Sequence, residues 1–183
     1  MKKVLVPLAD GFEDIEAVSI VDVLRRGEVT VVTASLSGEP MAMSAHGIRM
    51  ATDALLGDVL EEEYDAIILP GGGEGTENLL KCAPLLDRLV RQKNDGRLVC
   101  AICAAPIVLE TAGVIDEESV TCYPSCSPRM GRRVEDVPVV ADGQLITGQG
   151  PGSATLFALA VLAHLEDAKT AHRIANGMLA EFA

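Results

Sequence analysis

The feature that most constrains this chain is a set of short apolar runs that do not alternate with polar residues. KVLVPLA (3–9), DAIILP (65–70) and RLVCAI (97–102) are nearly continuous in aliphatic residues. A strand with one face in water would alternate. These runs are therefore strands buried on both faces, as in a parallel sheet covered by helices on either side. The helices lie between them. EDIEAVSIVDVLRRG (13–27) sets Ile15, Val18, Ile20, Val21 and Leu24 at helical spacing, with acids in its first turn and Arg25, Arg26 and Gly27 at its end. EVTVVTAS (28–35) reads as the next strand, and residues 40–52 as two short strands bent at Gly47. A helical segment runs from about Glu77 to Lys81, Pro84 opens another through Lys93, and APIVLETAG (105–113) forms the next. VPVVADGQLIT (137–147) is a hairpin turning at Asp142-Gly143. SATLFALAVLAHL and KTAHRIANGMLAEF close the chain as helices, and residues 116–136 read as irregular. Strand alternating with helix predicts one α/β domain over residues 1–183, with its site at the carboxyl ends of the strands. Asp10 to Glu16, Pro70 to Gly73 and Ile102 to Ala105 meet at that edge.

Composition agrees with aliphatic α/β layers: 49% of the 183 residues are hydrophobic and only 3% aromatic. A net charge of −12 opposes binding to a phosphate backbone, so no nucleic-acid partner is expected. No apolar run approaches the ~20 residues that cross a bilayer. The opening MKKVLVPLADGFED runs quickly into acids and reads better as a first strand than as a signal peptide. A cytoplasmic chain is expected, with Cys82, Cys100, Cys103, Cys122 and Cys126 as thiols.

The chemistry centres on AICAA (101–105), a small-x-Cys-x-small pattern between strand and helix. A residue on so sharp a turn is pushed out of the sheet edge, and its neighbours must be small for clearance. G-x-S-x-G is the hydrolase counterpart. At a helix N-terminus, free N–H groups would favour the Cys103 thiolate. The competing reading makes Cys103 one more buried small hydrophobe. Cys100 and Cys103 suit a dithiol mechanism poorly, since Cys100 lies inside the strand, and a zinc site lacks ligands at suitable spacing, so no metal is expected. Glu13, Asp14 and Glu16 are equivalent first-turn acids by pattern alone. Gly71 to Gly73 reads as a strand-to-helix loop or a close backbone approach, and no lysine follows to make it a P-loop.

Taken together, GFEDIEA (11–17), LPGGG (69–73), AICAAP (101–106) and TGQGPGSA (147–154) resemble the ThiJ/PfpI superfamily, in the branch of the Parkinson-disease protein and its YajL-like relatives. The resemblance covers essentially the whole chain. It implies a flavodoxin-like three-layer sandwich, a homodimer, and a reactive Cys103 beside a protonated Glu16. It also implies an oxyanion hole from the N–H groups of Gly72 and Ala104, with Gly71, Tyr123 and His46 as further pocket or dimer-contact positions. The implied activity is cofactor-free: a glyoxalase or deglycase acting on 2-oxoaldehydes such as methylglyoxal and on their adducts. The alternative is an oxidative-stress sensor or chaperone whose cysteine becomes a sulfinate. Three departures stand out. Ala104 follows Cys103 where the protease branch carries histidine, and Tyr123 and His46 stand where relatives carry histidine and arginine. His164 and His172 fall on the closing helices, as solvated or capping residues.

Overall fold

The computed structural model describes residues 1–182. Strand β1 (Lys3–Leu8) lies inside a seven-stranded sheet, parallel to β2 (Thr30–Ser35), beyond which comes the two-residue β5 (Ala54–Leu55). On its other side run β6 (Ala66–Leu69), β7 (Leu98–Ile102) and β9 (Leu145–Gly148), all parallel. The edge strand β8 (Val139–Asp142) pairs antiparallel with β9, Asp142 opposite Leu145. Strands β3 (Met41–Met43) and β4 (Arg49–Ala51) form a separate antiparallel pair.

The continuous apolar runs have the cause inferred for them. Side chains alternate across a strand, and here both faces are covered. Along β7, Leu98, Cys100 and Ile102 enter one apolar core, while Val99 and Ala101 enter the other. The first core is closed by α1 (Asp14–Arg26), α6 (Ala154–Leu165) and α7 (Ala168–Met178), through residues such as Ile20, Phe157 and Ile174. The second is closed by α2 (Leu56–Val59), α3 (Gly73–Leu80), α4 (Ala83–Asn94) and α5 (Pro106–Thr111), through Leu56, Leu79, Leu89 and Ile107. The fold is a flavodoxin-like sandwich of three layers.

Three details differ from the sequence reading. Helix α3 starts at Gly73, four residues earlier than expected, because a Gly-Glu-Gly start resembles a loop. Strand β5 and helix α2 are too short to produce a period. The stretch 116–136 contains a 3-10 helix, Pro124–Arg129. The hairpin forms as expected, with Gly143 at φ 58° in its turn.

Candidate active site

The carboxyl ends of β1, β6 and β7 converge on one edge, and each releases a tight turn there. Cys103, the first residue beyond β7, has φ 65°, in the left-handed region that non-glycine residues rarely occupy. That conformation costs roughly 1–2 kcal/mol and persists only where surrounding bonds enforce it. Here its N–H donates to the Gly148 carbonyl at 2.9 Å, its own carbonyl accepts from Tyr123 N–H at 2.8 Å, and Ala105 N–H closes the turn on Ile102 at 3.0 Å. Ala101 and Ala105 are fully buried, so larger side chains at either position would find no space. Cys103 retains 8% of its surface exposed. The cysteine elbow read from AICAA is present.

Glu16 sits in the first turn of α1 and is completely buried. Glu13, the N-cap, accepts Glu16 N–H at 2.8 Å, and Glu13 N–H donates to the Gly71 carbonyl at 2.9 Å, which ties this turn to the end of β6. Gly71 N–H donates to Glu16 Oε2 at 2.7 Å, while Oε1 has no well-formed hydrogen-bond partner. The carboxyl and the Cys103 thiol are nonetheless close enough that each shifts the other's titration. Burial pushes Glu16 up to about 7, against the opposing pull of Gly71 and Cys103. With Oε2 receiving an N–H, Oε1 is the oxygen placed to carry the proton.

Two glycines make this closeness possible. A Cβ on Gly71 would fall 2.7 Å from Cys103 Cβ and 2.8 Å from Glu16 Oε2. Gly72 adopts φ 95°, and a Cβ there would lie 2.2 Å from the Gly11 carbonyl. The main chain can therefore approach the sulfur closely, and the N–H groups of Gly72 and Ala104 pull its titration down.

The thiolate expected from a helix dipole needs correcting. Helix α5 has only six residues and begins with Pro106, which has no N–H to offer. With Glu16 ionised beside it, the thiol is pushed up to about 12, by burial first and by the carboxylate next, and Gly72 and Ala104 only partly offset this. The pair does not hold two negative charges. When Glu16 is protonated the repulsion disappears and its O–H becomes a donor facing the sulfur.

The remaining candidates lie around this centre. Tyr123 is exposed and bonded through its N–H to the Cys103 carbonyl. His46, on the β3–β4 hairpin, is exposed and does not bond to Cys103 or Glu16. Its Nδ1 lies 2.6 Å from Asp14 Oδ2, and Ser44 Oγ donates to Asp14 Oδ1. Burial would raise Asp14, but the bonds from Ser44 and His46 outweigh it and hold the carboxyl below its ordinary value; Asp14 in turn raises His46. Sequence reasoning left Asp14 an ordinary first-turn acid, since its partners are about thirty residues away and no periodicity links them. His164 and His172 are exposed on α6 and α7. All five cysteines are free. Among the described residues no helix is long and apolar enough to cross a membrane. A cavity of about 580 Å³ lies elsewhere on the same sheet edge, lined by Leu36, Leu55, Lys81 and Cys82, and holds none of these candidates.

A parallel sheet that presents an elbow cysteine to a buried carboxyl defines a flavodoxin-like protein of the cysteine-elbow type. The chain belongs to the DJ-1/PfpI family, whose pattern matches residues 2–164. It is 36% identical over 184 residues to protein dj-1beta of Drosophila melanogaster, covering 99% of this chain and 98% of that protein. The crystal structure of Drosophila melanogaster DJ-1beta superposes with a TM-score of 0.95 at 37% identity, over 98% of both chains. Toxoplasma gondii DJ-1, oxidized, does so with a TM-score of 0.95 at 36% identity, over 98% of this chain and 99% of that one. The glutathione-independent glyoxalase DJR-1.2 of Caenorhabditis elegans is 39% identical over 166 residues, 89% of this chain and 87% of that protein. Against DJ-1 homologs B and A of Arabidopsis thaliana, this chain spans only 38% and 46% of their lengths.

Proposed function

We propose that this chain is a glutathione-independent glyoxalase for small 2-oxoaldehydes such as methylglyoxal, and a deglycase for their adducts on amino acids and proteins. The observation that carries this is the buried Glu16 carboxyl, one oxygen held by Gly71 and the other free, beside a sulfur on a strained elbow. The sulfur adds to the aldehyde carbon as thiolate while the carbonyl oxygen takes the Glu16 proton, giving a hemithioacetal and an ionised Glu16. The N–H groups of Gly72 and Ala104 hold the developing oxyanion. Glu16 then moves the proton from the aldehyde carbon to its neighbour, leaving a thioester, and water releases lactate and the free thiol. Methylglyoxal plus water equals lactic acid, so the sequence needs no external oxidant or cofactor. The likeness to a glutathione-independent glyoxalase supports the reading at family level. The test is lactate production from methylglyoxal without glutathione: wild type converts it and Cys103→Ser does not, whereas equal conversion by both overturns the proposal.

A second reading rests on the same free oxygen. A sulfinate on Cys103 would find the Glu16 O–H and two backbone N–H groups waiting for its oxygens. After mild peroxide, mass spectrometry should find two added oxygens on Cys103 before any on the other four cysteines. Oxidation spread evenly over the thiols would remove this reading.

The expected homodimer belongs to the proposal too. Ile15 and Val18 on α1 and Ile48 after the β3–β4 loop are more than half exposed, on a flank tied together by the Asp14–His46 pair. Val18→Asp should convert a dimer to a monomer by light scattering, and a monomeric wild type would refute this. A cytoplasmic setting, in which the five cysteines stay thiols, belongs to the same proposal.

A further inference from the structure

Helix α1 begins with a capping arrangement that the end of β6 has entered. Glu13 is its N-cap, with extended backbone at φ −81° and ψ 128°, and Glu16 stands three residues on. In a capping box the side chain at that third position bonds the N-cap N–H directly. Here the main chain of Gly71 lies between the two. Glu13 N–H donates to the Gly71 carbonyl at 2.9 Å, Gly71 N–H donates to Glu16 Oε2 at 2.7 Å, and Glu16 N–H donates to Glu13 Oε2 at 2.8 Å. The three bonds close a ring, and all three residues are buried.

Serine or threonine is a commoner N-cap and would accept the same N–H without a charge. Glutamate adds a second carboxylate to the buried turn, and its negative charge opposes ionisation of Glu16. Burial acts on Glu16 in the same direction and more strongly, while the Gly71 N–H and the Cys103 thiol act against it. Asp14, the remaining acid of this turn, is turned to the β3–β4 hairpin, with Ser44 on one oxygen and His46 on the other.

We propose that Glu13 is a positioning residue for the Glu16 proton transfer, acting in two separable ways: it closes the ring that holds the Glu16 carboxyl against Gly71, and it sets a like charge beside that carboxyl. The proposal rests on the reading of Glu16 as the group that gives and takes the proton in 2-oxoaldehyde turnover. It assigns control of that proton to a residue outside the sulfur–carboxyl pair. With Oε2 fixed by the ring, the proton is confined to Oε1, the free oxygen.

The test separates the charge from the hydrogen bond. Glu13→Gln keeps an acceptor for Glu16 N–H and loses the charge; Glu13→Asp keeps both, aspartate being a good N-cap; Glu13→Ala loses both. The Glu16 carboxyl is titrated by carbon-13 NMR without substrate. Glu13→Gln should lower its midpoint from about 7 by about half a unit to one unit, with the melting temperature little changed, and Glu13→Asp should restore most of the shift. In the lactate assay Glu13→Gln should be about threefold to tenfold slower than wild type near pH 8, a deficit that shrinks below about twofold near pH 5.5. A purely structural cap would not move the pH profile. Glu13→Ala should be slow at both pH values. An unmoved Glu16 midpoint in Glu13→Gln would overturn the charge role, and identical behaviour of Glu13→Ala and Glu13→Gln would overturn the ring. Should Glu13→Ala fail to fold, hydrogen exchange at the Glu13 and Gly71 amides of wild type still reads the ring: slow exchange at both supports it, and fast exchange at either overturns it. The midpoints are read without turnover, so their failure is distinct from a failure of the sulfur chemistry, which shows as absent lactate production by wild type.

Discussion

Glu16→Gln is the most informative single substitution, because burial gives the carboxyl a titration that glutamine lacks. The folded chain holds the Glu16 proton up to about 7, against 4.5 for an exposed carboxyl. A folded-state value raised in this way contributes stability that is full below about 4.5 and is lost as pH rises through about 7. At about 1.4 kcal/mol per pH unit, the loss approaches about 3 kcal/mol, most of it between about pH 5 and pH 8. The site is fully buried, so solvent screening takes little away. Glutamine keeps an oxygen for Gly71 N–H and has no charge to desolvate. Burial is the first cause of the raised Cys103 titration, and it is kept in the variant. Urea denaturation of wild type and Glu16→Gln at both pH values should show the variant gaining roughly 2–3 kcal/mol on wild type at the higher pH. Parallel pH dependences would refute a proton-holding Glu16, and with it the donor the sulfur chemistry requires.

Other consequences are more local. Gly71→Ala places a methyl against Cys103 and Glu16 together; it should cost about 1–3 kcal/mol of stability and abolish methylglyoxal turnover, by thermal melting and lactate assay. Glu16→Gln should slow that turnover by about 10²–10⁴-fold, since a proton-transfer group is removed while the sulfur stays in place. An NMR titration of His46 should give a value above the ordinary 6.5, returning towards it in Asp14→Asn. The stability this pair adds is therefore present below 6.5 and lost as pH rises through the higher folded value.

The sheet was legible because burial on both faces leaves a direct trace in residue type, as in Val4, Leu5 and Val6 divided between two cores. The elbow was legible because clearance demands alanines on both sides of Cys103. What could not be read depends on meetings between distant segments. Glu16 became distinguishable from Glu13 and Asp14 by pattern resemblance, and its physical distinction is its full burial against Gly71, 55 residues away. The Asp136–Gln149 bond and the Asp14–Ser44–His46 cluster arise in the same way, from loops whose sequences carry no period. The Cys103 titration was misjudged from sequence because the helix behind it is short and starts with proline, neither of which outweighs burial.

The decisive measurement is kcat/KM for a panel of 2-oxoaldehydes, methylglyoxal first, with purified protein and no glutathione, beside Cys103→Ala. The account predicts turnover by wild type and none above background in the variant, at unchanged fold by circular dichroism. Comparable turnover from both, or none from either, would contradict it.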